Sequence, residues 1–412
     1  MSIWQRRYSR KLSPIERASL ALNEFCNYNV DLIVEGYGTL PLEALRRAVE
    51  KTAEANPGSR VRLRGALGFC RWVDSGIAPE VHEIHAPTWD ARSDRGASFM
   101  DEGFDALGGG PICRMLYVPG SPARIVFRGL HAAIDGRSML HWMTEVFRAL
   151  RGEPLLGSPC RYTEWDIMRK FQDKVNPEAL EAPSAAPNIP VIPCSSPPKT
   201  ELRYLWRTLT FPTIIPNVLA KFAVFLAEYA RRNASGRVSF IVPVDLRTLR
   251  EEVLSLGNLT GYLMVPIEPG DTTRQFSRQL SLRTRNYVDC HRPGILRKLP
   301  WIPMRVIQRE IKRNIQRSLY ESVPDAMSGG VVSMGSFPLD TLCAPEFRCT
   351  EVVPIPGFSG KLNVVVMPNE KHTVTTFAVP ESYNLDGQLD ALLAEFKQHF
   401  GAERATETAA AV

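Results

Sequence analysis

Apolar positions along this chain switch between a helical period and the period of a strand, and the switches divide it into elements. Residues 29–35, 125–127, 262–267, 330–334, 348–353, 361–366 and 373–379 read as strands. Ser13-Pro14-Ile15-Glu16 is a capping box with proline at the first helical position, so a helix starts there. Residues 41–55 carry Leu42, Leu45 and Val49 on one helical face. The sharpest switch lies within residues 124–143. Ile125, Val126 and Phe127 read as a buried strand, and a short corner follows over 130–136. Met139, Trp142, Val146 and Leu150 then recur at helical spacing until Gly152 stops the pattern. That corner holds one histidine, His131, and one aspartate, Asp135. Such corners are where an α/β scaffold exposes reactive groups while holding them rigidly.

The remaining patterns complete the outline. Alternating Val61 and Leu63 and a turn near Gly65 predict a hairpin over 60–73. A loop over 104–112 leads into a strand ending near Val118. Its run Gly108, Gly109, Gly110 does not read as a phosphate cradle, since no Gly-Lys-Ser/Thr follows and a strand comes next. Helices are predicted over 162–174, 215–232, 275–287 and 385–399, and strands over 202–210 and 237–244. Residues 176–200 are rich in proline with alanine and serine between, the composition of a linker. A chain of 412 residues is expected to form two lobes rather than one: 1–175 carrying the corner, and 201–401. The tail 402–412 is small and polar, and is expected to be disordered. Strands and helices interleave in both lobes, but the helices are too few for a regular doubly wound sheet. The expected class is therefore α/β with mixed sheets flanked by helices.

Composition narrows the possibilities. Hydrophobic residues make up 44% and charged residues 23%, as in a globular protein, and the net charge of +6 permits an acidic partner without requiring one. Eight cysteines are scattered without a CxxC or Cys/His cluster, so neither a zinc site nor a disulfide framework is expected, and reduced thiols in the cytoplasm are. His82 and His85 lie three apart in an apparent strand and so on opposite faces; no metal is expected there. The N-terminus is basic but lacks the apolar core of a signal peptide. The most apolar stretch, 211–230, is broken by Pro212, Pro216, Lys221 and Glu228, and reads as a core helix rather than a membrane span. Residues 291–318 hold eight Lys and Arg against the single acid Glu310. This is either a solvated helix face or a surface steering an acidic or phosphate-bearing partner. Nucleic acid is not expected, because stacking aromatics are not interleaved with the cations.

The corner carries the candidate chemistry. A histidine with an ordinary pKa near 6.5 can take a proton from a hydroxyl, amine or thiol at neutral pH, and such general-base action is worth about 10²–10⁴ in rate. An apolar wall beside the ring would keep it neutral. Asp135 has two readings: it orients the imidazole, or it points away and anchors the corner by pairing with an arginine. Four residues across a sharp corner favour the anchor. His141, on the following helix, reads as a packing residue.

Leu130-His131-Ala-Ala-Ile-Asp135-Gly136 resembles the HHxxxDG motif of the condensation-domain superfamily, which includes nonribosomal peptide condensation domains, plant-type HxxxD acyltransferases, polyketide-associated acyltransferases and chloramphenicol acetyltransferase. Further segments match in order: residues 10–16; the strand to Gly36 with the helix after it; Phe104-Asp105 through Gly110-Pro111 and Arg114; Pro243-Val-Asp-Leu-Arg247 with Gly257-Asn258; Val331-Val-Ser333-Met-Gly335; and Leu362-Asn363. The resemblance implies two chloramphenicol-acetyltransferase-like lobes forming a V around a central tunnel, which donor and acceptor enter from opposite faces. It places His131 as catalytic base and Asp135 in a structural ion pair with Arg247. Gly136 would keep space for the thioester and help hold the oxyanion, with Ser333 and Asn363 as further tunnel or oxyanion residues. The sequence departs from the pattern at Leu130, where the first motif histidine belongs, and at Met334, where asparagine is usual; the plant-type DFGWG motif is absent.

The expected function is that of a stand-alone, monomeric acyltransferase. It would move an acyl group from a thioester, on an acyl or peptidyl carrier protein supplied by another chain or on coenzyme A, to a small-molecule hydroxyl or amine. No covalent acyl-enzyme and no cofactor beyond the thioester are expected, and secondary metabolism is the setting the resemblance implies. A dehydratase or cyclase on the same fold, or a degenerate domain that docks a carrier or recruits a partner, are the alternatives.

Overall fold

The computed structural model describes residues 8–180, 187–194, 203–249, 253–292, 294–320, 327–357, 360–384 and 386–401. In chain order its elements are β1 (Ser9–Lys11), α1 (Pro14–Asn23), β2 (Asn29–Gly38), α2 (Leu42–Ala55), β3 (Val61–Arg64), β4 (Arg71–Asp74), β5 (Glu80–Glu83), β6 (Cys113–Val118), β7 (Ala123–Leu130), α3 (Gly136–Leu150), α4 (Glu164–Phe171), β8 (Tyr204–Phe211), α5 (Val218–Asn233), β9 (Val238–Asp245), β10 (Thr260–Ile267), α6 (Thr273–Arg285), α7 (Met304–Tyr320), β11 (Gly329–Ser333), β12 (Phe347–Ile355), β13 (Asn363–Pro368), β14 (Thr373–Pro380) and α8 (Gln388–Phe400). The expected mixed α/β class is what the chain adopts. Local signals account for much of it: Ser13 caps α1 with the full capping box, and Gly152, at φ +72°, ends the α3 pattern.

Three sheets form. The first has the order β12-β2-β7-β6-β5, the second β10-β9-β11-β13-β14-β8, and a small third β1-β4-β3. The first is antiparallel except for the β5–β6 pair, and the second is parallel only where β11 meets β9 and β13. Strand β12 lies in the second half of the sequence yet pairs antiparallel with β2 along its length. It completes the sheet of the first half, so a cut at the proline-rich stretch does not separate the sheets. Within that stretch, residues 187–194 are packed rather than spacing: Val191 and Ile192 are buried in the second core, and the Ile189 N–H donates to the Arg237 carbonyl at 2.9 Å. Residues 181–186 and 195–200, Leu385 and the tail 402–412 lie outside the described residues.

Side-chain alternation distributes β2 between two cores. Leu32 and Val34 face α2 and α3 in one core with Leu45, Val49, Phe127 and Trp142. Ile33 faces the other way, against Val126, Val353, Trp206, Val374 and Ala378. This second layer joins the first sheet to β8 and β14 of the second sheet. The second sheet's other face packs on α5 and α8 through Phe211, Phe222, Phe240, Phe377 and Phe396. One reading is corrected: β5 ends at Glu83, so His85 is not in the strand with His82, whose ring pairs with Glu80 at 2.9 Å. Among the described residues no cluster of His, Cys, Asp and Glu could hold a metal ion, and no helix is long and apolar enough to cross a membrane.

Candidate active site

The corner is built by the end of a central strand. β7 runs between β2 and β6, with Leu130 opposite Asn29. The Leu130 carbonyl accepts from the Ala133 and Ile134 N–H groups at 2.9 and 3.1 Å, closing a tight turn. The Arg10 guanidinium reaches the Ala133 carbonyl at 3.0 Å. From the second half of the chain, Asn258 donates its side-chain amide to the His131 carbonyl at 2.8 Å and its backbone N–H to the Ala133 carbonyl at 3.1 Å. The turn is therefore gripped from three directions, and His131 is set by the backbone rather than by the preceding residue. Leu130 is fully buried in the core.

The His131 ring stacks on Tyr28, with centroids 4.7 Å apart and planes 15° from parallel, while the His131 backbone N–H donates to the Tyr28 carbonyl at 2.9 Å. Nδ1 is buried, and among the described residues no hydrogen bond reaches it. Burial pulls the imidazole below its ordinary 6.5; the charge of Asp135 and the carbonyls of His131 and Ile134 push the other way and do not overcome it. The ring is thus a neutral base at neutral pH. On its open side it meets Gly357, where a Cβ would stand 2.9 Å from His131 Cδ2 and 3.0 Å from the Asn29 carbonyl oxygen.

Asp135 faces elsewhere. It caps α3 by accepting from Ser138 N–H at 2.8 Å. It takes Arg247 bidentately at 3.0 and 3.2 Å, and accepts from Leu259 N–H at 2.7 Å and Thr260 Oγ1 at 3.3 Å. Burial alone would raise its pKa, but Arg247 and these donors together hold it below the usual carboxylate value. Arg247 also reaches Ser138 Oγ at 2.6 Å and the Gly257 carbonyl at 2.8 Å. Among the described residues no hydrogen bond joins Asp135 to His131. The aspartate ties α3 to the loops flanking β10.

His131 opens on a cavity of about 860 Å³ lined mainly by apolar side chains from both halves, among them Leu22, Leu32, Val242, Ile315 and Val365. Gly136, Ser333 and Asn363 all line it. A Cβ on Gly136 would lie 2.7 Å from the Met334 methyl carbon, so Met334 occupies the space that the glycine leaves. Ser333 Oγ accepts from Gly335 N–H at 3.3 Å, leaving its own proton free to donate. The Asn363 amide nitrogen is turned to the Gly357 carbonyl at 2.9 Å, so this side chain holds the segment that confines the His131 ring. At the start of α3, Ser138 N–H goes to Asp135, but the N–H groups of Gly136 and Arg137 precede any intrahelical acceptor, and both residues line the cavity.

Motif reading missed two of these residues. Tyr28 precedes a predicted strand and belongs to no motif, yet it stacks on His131 and lines the same cavity as Tyr262. Burial raises the phenol of Tyr262, to about 12, and raises that of Tyr28 as well. Gly357 was signalled only by its place in Pro354-Ile-Pro-Gly357, a turn-like run with no chemistry of its own.

No family model matches the sequence and no curated protein is detectably similar to it. Solved structures are similar over nearly the whole chain. A variant of the starter condensation domain of rhizomide synthetase, in complex with C8-CoA, aligns with a TM-score of 0.66 at 13% identity, covering 95% of this chain and 94% of that one. The first condensation domain of the calcium-dependent antibiotic synthetase aligns at 0.62 and 15%, covering 95% of each. The condensation domain from the monacolin K polyketide synthase aligns at 0.60 and 12%, covering 95% and 96%. The chain has the fold of a condensation domain.

Proposed function

We propose that this chain is an acyltransferase that moves an acyl group from a thioester to a hydroxyl or amine. The observation that carries the reading is a neutral, half-buried His131 at the wall of a large apolar cavity, with Asp135 committed to Arg247 and unavailable as a second catalytic group. The condensation-domain fold, and the acyl-CoA held by one of its structural neighbours, support the same reading. In this mechanism His131 takes the proton from the acceptor as its oxygen or nitrogen attacks the thioester carbonyl carbon. The C–S bond breaks as the tetrahedral intermediate collapses, and the imidazolium returns the proton to the leaving thiolate. The N–H groups of Gly136 and Arg137, and the Ser333 hydroxyl, are the donors available to the oxyanion. No enzyme nucleophile is required. The phosphopantetheine arm belongs to the substrate, either a carrier protein supplied by another chain or coenzyme A.

The test is intact-protein mass spectrometry of acyl carrier proteins, and of acyl-CoA in parallel, incubated with the enzyme and pooled amine and alcohol acceptors. Deacylation with formation of an ester or amide, abolished by His131→Ala, is the expected result. Water loss without joining of an acceptor would mean a dehydratase or cyclase. Tight carrier binding without turnover across the panel would mean a docking domain.

A further inference from the structure

The outer surface over α1 and α7 combines two features that the acyl-transfer reading does not use. Short segments expose large apolar side chains there: Phe69 is 74% exposed, Ile295 65%, Trp301 61% and Val306 51%. Phe69 and Trp301 form one contact, edge to face at 5.8 Å, and a Cβ on Gly68 would lie 2.8 Å from the Trp301 ring. Arg17 of α1 pins the two segments together, donating to the Ile302 carbonyl at 2.8 Å and to the Leu67 carbonyl at 3.5 Å. The patch is therefore built, not frayed. Isolated exposed apolar residues need no explanation, but a fixed group of them does.

The segments that follow in sequence are rich in exposed cations. Arg297 and Lys298 are exposed in the segment between Ile295 and Trp301, and Arg305, Arg309, Lys312 and Arg313 are exposed along α7. Arg297, Lys298, Arg305 and Arg309 make no ion pair with a described residue, and Glu310, the one acid of this stretch, stands 4.0 Å from Arg313. Helical period separates the two faces of α7: Ile307 is buried, and Ile311 and Ile315 line the apolar cavity, while Arg305, Arg309 and Arg313 look outward. α7 thus has the apolar cavity on one side and a cationic surface, rimmed by protruding apolar side chains, on the other.

We infer that this face binds the surface of an anionic lipid bilayer. The cations supply attraction to lipid headgroups, and the aromatic and aliphatic tips supply shallow insertion at the headgroup level. Charge alone would serve an acidic protein equally well. The apolar tips decide between them: they project from separate short segments instead of lining a groove, and a bilayer accepts projecting groups in any register whereas a protein partner needs a matching pocket. The inference is independent of the acyl-transfer reading.

The experiment is co-sedimentation of the full chain with vesicles of phosphatidylcholine alone and of phosphatidylcholine with phosphatidylserine, with tryptophan fluorescence read in parallel. Binding to the anionic vesicles only, weakened by salt and accompanied by a blue shift, is expected. With each cation near the surface worth about five-fold in affinity, Arg297→Gln with Lys298→Gln should weaken binding about twenty-five-fold, and Arg305→Gln with Arg309→Gln similarly. Phe69→Ser with Trp301→Ser should remove the blue shift and most of the binding. These side chains are exposed, so unaltered circular dichroism verifies each variant. Absence of vesicle binding, or binding indifferent to all three variants, overturns the inference. So does capture of an acidic carrier protein, lost in the Arg297/Lys298 variant, without vesicle binding. A dimer that dissociates in the Phe69/Trp301 variant, again without vesicle binding, would assign the face to a second copy of the chain.

Discussion

At the scale of the residue, the corner separates chemistry from architecture. His131 has its ring on the cavity, stacked on Tyr28, and its pKa is lowered by burial. His131→Ala should reduce turnover by about 10²–10⁴-fold while thermal unfolding stays close to wild type; a variant with near-wild-type turnover would end the proposed mechanism. Because the imidazole titrates below 6.5, the acidic limb of the rate–pH profile should fall below that value. A limb at or above 6.5 that disappears with His131 would contradict the burial argument. The same shift has a stability consequence of fixed sign. The unfolded chain binds a proton that the folded ring refuses, so this residue lowers stability as the pH falls below 6.5. Asp135 should behave differently. Asp135→Asn leaves Arg247 with Asp245, at 2.9 Å, as its remaining carboxylate partner, so the loss should be substantial but below the about 3–5 kcal/mol of leaving a buried charge unpaired. Denaturant unfolding measures it, and wild-type stability with lost turnover would instead make Asp135 an orienting group for the imidazole.

At the scale of the element, the approach of separate segments sets the geometry. Gly357, after the end of β12, confines the His131 ring because Asn363 of β13 holds its carbonyl. Gly357→Val would place methyl groups against both the ring and the Asn29 backbone. Turnover should fall by at least ten-fold with secondary structure retained, whereas Gly136→Ala should be milder, since only the flexible end of Met334 has to move. A different contact joins α1 to α4. Ser13, the cap of α1, donates its hydroxyl to Glu164, the first residue of α4, and burial followed by the charge of Glu16 pushes the Glu164 carboxyl up to about 8. A raised carboxyl stabilises the fold fully below its ordinary value of 4.5, and that contribution is lost as the pH rises toward 8. Glu164→Gln should flatten the decline in melting temperature over this window; an unchanged slope would mean that another group produces it.

At the scale of the whole molecule, the site depends on both halves at once. β12 closes the first sheet from the second half of the sequence, and the core of Ile33, Val126, Trp206 and Val374 binds the first sheet to the second. Residues 1–180 expressed alone should therefore lack a cooperative unfolding transition, and co-expression with 187–412 should restore one. A folded, cooperative N-terminal fragment would show that the first half does not need β12. The cavity follows the same logic, since its wall includes Leu32 from the first sheet and Val242 from the second.

Much of this was legible in the chain before folding, because it rests on local rules. Capping chemistry placed α1, the change of hydrophobic period at Leu130 placed the strand, corner and helix, and the scarcity of helices indicated mixed sheets. His131 could be singled out because a histidine at such a corner is chemically distinctive. Other features have no local signature. That β12 pairs with β2, that residues 187–194 pack into the second core, and that Tyr28 and Gly357 flank the imidazole depend on contacts between residues far apart in sequence. Spacing is silent about such contacts, because an apolar strand or a turn-forming glycine reads alike wherever the tertiary fold later sets it. The division at the corner has the same origin. The sequence put His131 and Asp135 four residues apart, while only tertiary structure brought Arg247, Leu259 and Thr260 to the aspartate and left the histidine facing the cavity, because a buried carboxylate is stable only where donors converge on it.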